Sequence, residues 1–491
     1  MSKKIIVVGS GNAALCAGIA ALEAGADVLM LEKAGPDLAG GNTKYTAGAM
    51  RFAYDGKDEL LPLLMHPDDE RIARSDFGAY TEAKFSDDLL TFNEGRPLSA
   101  EQQALVSQSY DAVRWLAGHG VKYEPIYSRQ SFEKDGRLVF WGGLTLAAAN
   151  EGVGLFDMEL AAFQRLGGEI RYNAPVSQLV IDGDRVAGVM VGDETIAADA
   201  VILACGGFEA DGAMRAELMG EQWSVAKVRG TPNNTGDGLR MGWEAGAARY
   251  GSYEGCHATP MDLQMKDFGN LDIPHAERKN YRKICYFLGV MLNADGERFV
   301  DEGINFRNYT YAQFGKAVLK QPGHFAWQIF DAKVFDLLYE EYHFHDAHYV
   351  EADTLPELIG QLEGVDQEGA TATLDAFNTA VDDAVAFDPT SLDGKGTRGL
   401  PLAKSNWAQR IDTGPFRAYP VTGGITFTYG GVKVDEMGRV LRDDDTPVAG
   451  LHACGEMVGG VFFGGYPGGS GLTSGAVFGR RAGHGAVTTE N

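Results

Sequence analysis

The chain has 491 residues, more than one ordinary hydrophobic core accommodates, so two domains are expected. Its 45% hydrophobic and 23% charged residues are a globular balance. A formal net charge of −25 argues against nucleic acid or an anionic membrane as partner and fits a soluble chain. The five cysteines (Cys16, Cys205, Cys256, Cys285 and Cys454) include no C-x-x-C pair. No zinc knuckle, c-type haem or iron–sulfur run is therefore expected, and a reducing compartment fits.

The first apolar run leads into a glycine turn and not into a cleavage site, so a cytoplasmic location is expected. Residues 3–8 are a β-branched run suited to a buried parallel strand. Gly9-Ser10-Gly11-Asn12-Ala13-Ala14 follows, then an alanine-rich helical pattern to about Ala24, with Gly25 as its stop. Residues 27–31 read as a second strand, with Glu32 and Lys33 at its end. Gly9 permits a tight turn, Gly11 lets a pyrophosphate approach the backbone, and Ala14 lets helix and strand pack closely. The helix N-terminus offers N–H donors to phosphate. Glu32, 21 residues after Gly11, is spaced to accept hydrogen bonds from ribose hydroxyls. Strand, turn, helix, strand and acid in this order predict a dinucleotide site, without choosing between NAD and FAD.

Further along, Gly40-Gly41-Asn42-Thr43-Lys44-Tyr45 is a loop of small and hydroxyl residues that can bring backbone N–H groups close to a ligand. Residues 201–205 form a strand pattern ending at Gly206-Gly207. Cys256-His257-Ala258-Thr259-Pro260 and a run from Gly296 to Tyr311 containing Arg307 lie in the middle of the chain. Residues 343–348 hold His343, His345 and His348, read as surface or packing groups and not as a metal site. Residues 361–388 are an acidic helical pattern with a solvated face. Near the end, Gly455-Glu456 precedes Tyr466-Pro467-Gly468-Gly469-Ser470-Gly471-Leu472 and a helical run. Residues 458–479 carry no charge, yet their glycines and Pro467 would leave backbone groups unsatisfied in lipid. A ligand-lining loop and helix is expected there, with no stable membrane insertion.

Taken together, these segments resemble the fumarate reductase and succinate dehydrogenase flavoprotein superfamily over nearly the whole chain. The resemblance implies an α/β fold: a Rossmann-like FAD-binding domain of the glutathione reductase type, at 1–250 and 405–491, with an inserted α+β capping domain at 251–404. It implies FAD held by Gly9, Gly11, Asn12, Ala13, Ala14, Glu32, Lys33, Gly41, Asn42, Thr43, Gly206 and Gly207. Val176 would meet the adenine region by its backbone, Gly455 and Glu456 the ribityl or ribose hydroxyls, and Ser470, Gly471 and Leu472 the flavin's pyrimidine edge. Membrane-bound relatives carry flavin covalently on a histidine where this chain has Tyr45, so noncovalent FAD is expected. Arg307 is the nearest match, offset by about one residue, to the arginine that transfers the substrate proton, and His257 matches a carboxylate-binding histidine. Arginine is ordinarily a fixed cation, so Arg307 either shuttles a proton through a relay or grips a carboxylate with its fork. His257 is either a ligand or a hydrogen-bonded structural histidine.

Two positions depart from fumarate reductases: Phe427 stands where they carry histidine and Tyr466 where they carry a clamping arginine. Arg282 and Cys285 lie near the places of the relay groups. The chain is most similar to the FAD-dependent tricarballylate dehydrogenase branch, and its Tyr-Pro-Gly segment also resembles 3-ketosteroid and cyclic-ketone dehydrogenases. This implies α,β-dehydrogenation of a small carboxylate such as tricarballylate. Tyr466 and a nearby N–H would stabilise an enolate, Arg307 or a tyrosine would take the α-proton, and FAD would accept hydride. The alternatives are a ketone dehydrogenase, an enoate reductase, or a flavin-binding protein without turnover. Tyr466 as plain packing is the competing reading of that residue. The expected partners are a small-molecule substrate and a separate electron acceptor: quinone, a redox protein or oxygen.

Overall fold

The computed structural model describes residues 2–274 and 277–489. They form two compact units: Met1–Met214, Gly230–Cys256 and Phe427–Asn491 make the first, Arg215–Arg229 and His257–Thr426 the second.

In the first unit, strand Lys4–Val8 lies between Asp27–Leu31 and Ala200–Leu203, parallel to both. Pro447–Ala453 and Glu169–Arg171 extend the parallel sheet on either side. Ile5, Ile6, Val7 and Val8 are all buried, as a strand covered on both faces requires. An antiparallel set, Val176–Asp182, Arg185–Val191 and Glu194–Ala197, joins beyond Pro447–Ala453. Helix Asn12–Glu23 begins directly after the glycine turn.

The long helix Ser470–Thr488 packs against Asn12–Glu23 through a stripe of glycines. Gly475, Gly479 and Gly483 are four residues apart, which puts them on one helix face. A Cβ at Gly479 would lie 2.6 Å from the Ala13 carbonyl oxygen, and one at Gly483 only 2.1 Å from that of Ala17. The two backbones therefore meet with no side chain between them. The uncharged 458–479 stretch is accounted for here: a loop to Gly469, then the buried half of this helix. Among the described residues no helix is long and apolar enough to cross a membrane.

The second unit is built on an antiparallel sheet in which Phe416–Thr428 pairs with Phe325–Asp331, and that strand with Val290–Leu292. Side-chain alternation sends the two faces to different helices. Val290, Leu292, Trp327, Ile329 and Phe416 pack with Leu374 and Phe377 of helix Gln367–Ala380. Met291, Ala326 and Val421 pack with Phe314 and Val318 of helix Arg307–Leu319. Each such buried side chain contributes about 1.5–3 kcal/mol, and together they fix the helix that Arg307 opens. Residues 405–426, expected with the first domain, run with this unit because Phe416–Thr428 is its longest strand. Residues 215–229 join it as Lys227 and Val228 pair with Gly424 and Ile425.

Candidate active site

The glycines of the first unit fall into two kinds. Gly9 sits at φ +105° with its Cβ position 2.5 Å from the Ala204 carbonyl oxygen, so it shapes the turn by close packing. Gly206, Gly207 and Gly455 are likewise packed against Asn234, Glu456 and Ala13. By contrast, a Cβ on Gly41 would meet nothing within 4 Å, and one on Gly471 only the Phe427 ring at 3.8 Å. At Gly11 the nearest atom, Thr43 Oγ1, stands at 3.4 Å. These three glycines leave backbone approachable at the first helix, at the loop after the second strand and at the last helix. That is what a dinucleotide with a flanking flat ring needs, so the residues fit FAD.

The segments are tied to one another. The Asn12 amide donates to Thr43 Oγ1 at 2.9 Å, and the Asn12 side chain donates to the Leu472 carbonyl at 2.8 Å. Ala13 meets Gly455, and Ala14 is fully buried under the sheet. Glu32 is buried at the strand end, its oxygens accepting from Ser10 Oγ at 2.5 Å and the Ala34 amide at 2.7 Å. Lys33 turns aside to Thr235 and Asp237, at 2.7 and 2.8 Å. Val176 is buried at the start of its strand. Ser470 opens the last helix, its amide and hydroxyl both donating to the Pro467 carbonyl.

One cluster was not legible in the sequence. Asn42 Nδ2 and Asn234 Nδ2 each donate to Glu209 Oε1 at 2.6 Å, and Asn42 Oδ1 accepts from the Thr231 amide. Glu456 Oε1 accepts from the Thr428 amide at 2.7 Å and its hydroxyl at 2.9 Å. Burial, then repulsion from Glu456, pushes Glu209 well up; Glu456 is also pushed up by burial. The only sequence signal was an acid two residues past the Gly206-Gly207 pair.

Tyr466 is 7% exposed and sits among rings. Its centroid lies 5.0 Å from Phe427 and 5.4 Å from Phe462, both edge-on, with Tyr429 5.3 Å from Phe427. Edge-on packing at these distances adds about 0.5–1.5 kcal/mol per pair. The loop behind Tyr466 is held by Arg51, which sequence reasoning missed. Its Nε donates to the Gly468 carbonyl at 2.8 Å and its Nη1 to that of Gly142 at 2.7 Å, with Asp88 at 3.4 Å. The positions Phe427 and Tyr466 thus form an aromatic wall.

In the second unit, His257 lies on strand Cys256–Asp262, 1% exposed, with its ring edge-on to Tyr311 at 5.1 Å. Burial, then the charges of Arg229 and Arg282, push it well below the usual histidine range, so it is a neutral imidazole at pH 7. Arg282 pairs with Glu341 at 3.2 Å. Arg307 is the first residue of its helix, and its guanidinium stands 5.0 Å from the Tyr339 ring centroid. Both arginines act on Tyr339 and on Cys285; burial raises Tyr339 while they oppose that shift. The segment before Arg307 is pinned by Arg298, whose Nε donates to Glu302 Oε1 at 3.1 Å, while Glu302 also accepts from the Met291 amide at 2.9 Å. Arg229, Tyr339 and Glu341 were not singled out from the sequence, because each comes from a segment without a motif.

A Rossmann-type nucleotide turn with approachable glycines at three separate segments is what an FAD-dependent oxidoreductase requires of its cofactor domain. The chain belongs to the FAD binding domain family, whose model matches residues 4–472. It is 28% identical over 501 residues to a fumarate reductase (cytochrome) of Shewanella frigidimarina, covering 98% of this chain and 76% of that protein. It is 26% identical over 559 residues to 4-oxocyclohexanecarboxylate 2-dehydrogenase of Sinomonas cyclohexanicum, covering 96% and 90%. Its fold matches the open conformation of a flavocytochrome c3 fumarate reductase with a TM-score of 0.72 at 25% identity, covering 99% of this chain and 78% of that one. A 3-ketosteroid Δ1-dehydrogenase of Sterolibacterium denitrificans matches with a TM-score of 0.72 at 20% identity, covering 99% and 100%, a likeness of fold alone. The protein is an FAD-dependent enzyme of the fumarate reductase-like group, acting on CH–CH groups.

Proposed function

We propose that the protein dehydrogenates a small carboxylate of the tricarballylate type across its α,β bond, with noncovalent FAD and a separate electron acceptor (quinone, a redox protein or oxygen). The observation that carries this reading is the group of arginines whose charges reach His257 and Tyr339 in the second unit. Arg229 and Arg282 act on His257, Arg282 and Arg307 act on Tyr339, and Glu341 is the acid paired with Arg282. Guanidinium groups bind carboxylates by two-pronged hydrogen bonds. In this role Arg307 holds the substrate and moves the α-proton with Tyr339 beside it, while neutral His257 donates or accepts a single hydrogen bond. The Tyr466 hydroxyl donates to the oxygen on which enolate charge develops. FAD, when bound, takes up the hydride.

A second reading is a cyclic ketone as substrate. The aromatic wall of Phe427, Phe462 and Tyr466 favours it, since rings pack against an alicyclic body and leave the tyrosine hydroxyl for the ketone. The test is the anaerobic visible spectrum of the holoenzyme after adding tricarballylate, cyclohexanone or 4-oxocyclohexanecarboxylate. Bleaching by tricarballylate supports the first reading, bleaching by cyclohexanone alone the second. Bleaching by the keto acid alone makes both groups necessary, and reoxidation of dithionite-reduced enzyme by an alkene acid, with none bleaching, reverses the direction.

A further inference from the structure

Residues 215–229 begin and end on arginines whose donors meet opposite surroundings. Arg215 is buried with its donors spent on main-chain oxygens: Nε on the Trp223 carbonyl at 2.8 Å, Nη2 on those of Ser224 and Ala226 at 3.0 and 3.2 Å. It holds the segment in shape. Arg229 has Nε and Nη1 buried with no hydrogen-bond acceptor among the described residues. In a planar guanidinium these two nitrogens belong to different edges, so both edges keep an unused donor. The base of the side chain is fixed. Lys227 and Val228 pair with Gly424 and Ile425, and the Arg229 amide donates to the Ile425 carbonyl at 2.8 Å.

The acids of the adjoining segments have other partners. Glu341 pairs with Arg282 at 3.2 Å, Asp267 with Lys227 at 2.9 Å, and Asp262 lies 3.7 Å from Lys283. His257, which feels the charges of both Arg229 and Arg282, is neutral at pH 7 and supplies no compensating charge. Buried donors of a cation are costly until an acceptor meets them. The anion whose planar pair of oxygens matches a guanidinium edge is a carboxylate.

We propose that Arg229 is a specificity-determining residue that holds a second carboxylate of the substrate, beyond the one gripped by Arg307, so that the site selects di- and tricarboxylates over monocarboxylates. This rests on the carboxylate reading above and narrows it to substrates with at least two anionic groups. Arg229 moves no proton in this role; it fixes how the substrate lies.

The experiment is calorimetric titration of the oxidised holoenzyme with citrate and with acetate. The central carbon of citrate carries no hydrogen and acetate has no β-carbon, so neither can be desaturated and the flavin stays oxidised. Arg229→Gln is expected to weaken citrate about 10–100-fold, the range for hydrogen bonds to a charged group, and acetate by no more than a few-fold. Arg229→Lys, which keeps the charge and loses the fork, is expected to recover part of the citrate affinity. Unchanged citrate affinity in Arg229→Gln, or equal weakening of citrate and acetate, overturns the inference and leaves the carboxylate reading standing. Failure of wild type to bind either anion removes both. Loss of FAD from folded Arg229→Gln would place the guanidinium at the cofactor and also overturn the inference. Should Arg229→Gln not fold, Arg229→Lys decides: weaker citrate with unchanged acetate supports the role, and two unchanged affinities reject it. A merely structural arginine would lower the unfolding midpoint and leave the ratio of the two affinities as in wild type.

Discussion

Arg51 and Gly468 are joined by a 2.8 Å hydrogen bond from a guanidinium that is almost fully buried to a loop carbonyl two residues from Tyr466. The same guanidinium caps Gly142 and faces the Tyr80 ring at 5.0 Å. An arginine so enclosed ties the Gly142 turn to the loop that carries Tyr466.

Removing Arg51 by Arg51→Ala strands the Gly468 and Gly142 carbonyls and takes the cation from Asp88, which keeps its hydrogen bond from Tyr80. We expect a loss of about 3–5 kcal/mol of stability, as for a buried pair deprived of one partner. Arg51→Lys should recover much of the stability but little of the turnover, because a lysine lacks the fork. Urea unfolding and steady-state rates on the same preparations separate the two; recovery of full turnover by lysine would remove the positioning role.

Tyr466→Phe keeps the ring in its cluster and removes only the hydroxyl. Loss of one oxyanion donor lowers kcat by about 10²–10³-fold, with the flavin spectrum unchanged. If kcat stays within a few-fold, Tyr466 is a packing residue and the enolate must be held elsewhere.

Arg307→Gln is expected to lower turnover by about 10²–10⁴-fold, the range for an acid–base group. Tyr339→Phe tells whether the ring beneath it relays the proton or only supports the guanidinium. A tenfold or greater fall on Tyr339→Phe assigns the relay, whereas an unchanged rate leaves the ring as a platform. A rise in KM alone on Arg307→Gln would reduce Arg307 to carboxylate binding.

His452 is fully buried on strand Pro447–Ala453, and burial pushes it down to about 4. The unfolded chain takes up this proton near pH 6.5 and the folded one only near 4, so stability falls as pH drops through that window. His452→Gln should lessen the fall by a few kcal/mol at most, since a tenfold difference in proton affinity between the two states is worth about 1.4 kcal/mol. Denaturant unfolding of both proteins at pH 7 and pH 4.5 measures the difference; equal losses of stability in the two would contradict the assignment.

The nucleotide turn was readable because all its parts lie within thirty-odd consecutive residues and each has a local reason. Helix Asn12–Glu23 and strand Asp27–Leu31 stand within a residue of where spacing puts them. The acidic pattern at 361–388 contains the shorter helix Gln367–Ala380. What spacing could not reveal are partners drawn from distant segments. Arg51 looks like any surface arginine until Gly142 and Gly468 are brought to it. Glu209 and Glu341 look like solvated acids until they are found at 0% and 7% exposure. The glycines at 475, 479 and 483 read as a helix pattern without a purpose, because the carbonyls they accommodate belong to the first helix.

That glycine stripe has a consequence for the growing chain. Helix Asn12–Glu23 leaves the ribosome some 450 residues before its supporting helix Ser470–Thr488. At about 5–20 residues per second the delay is on the order of a minute. During it, Ala13 and Ala17 have no neighbour to cover them. Synthesis that stops before Ser470 therefore yields a nascent product whose nucleotide turn exists but is unsupported, and such a product should be degraded instead of accumulating as a weak enzyme.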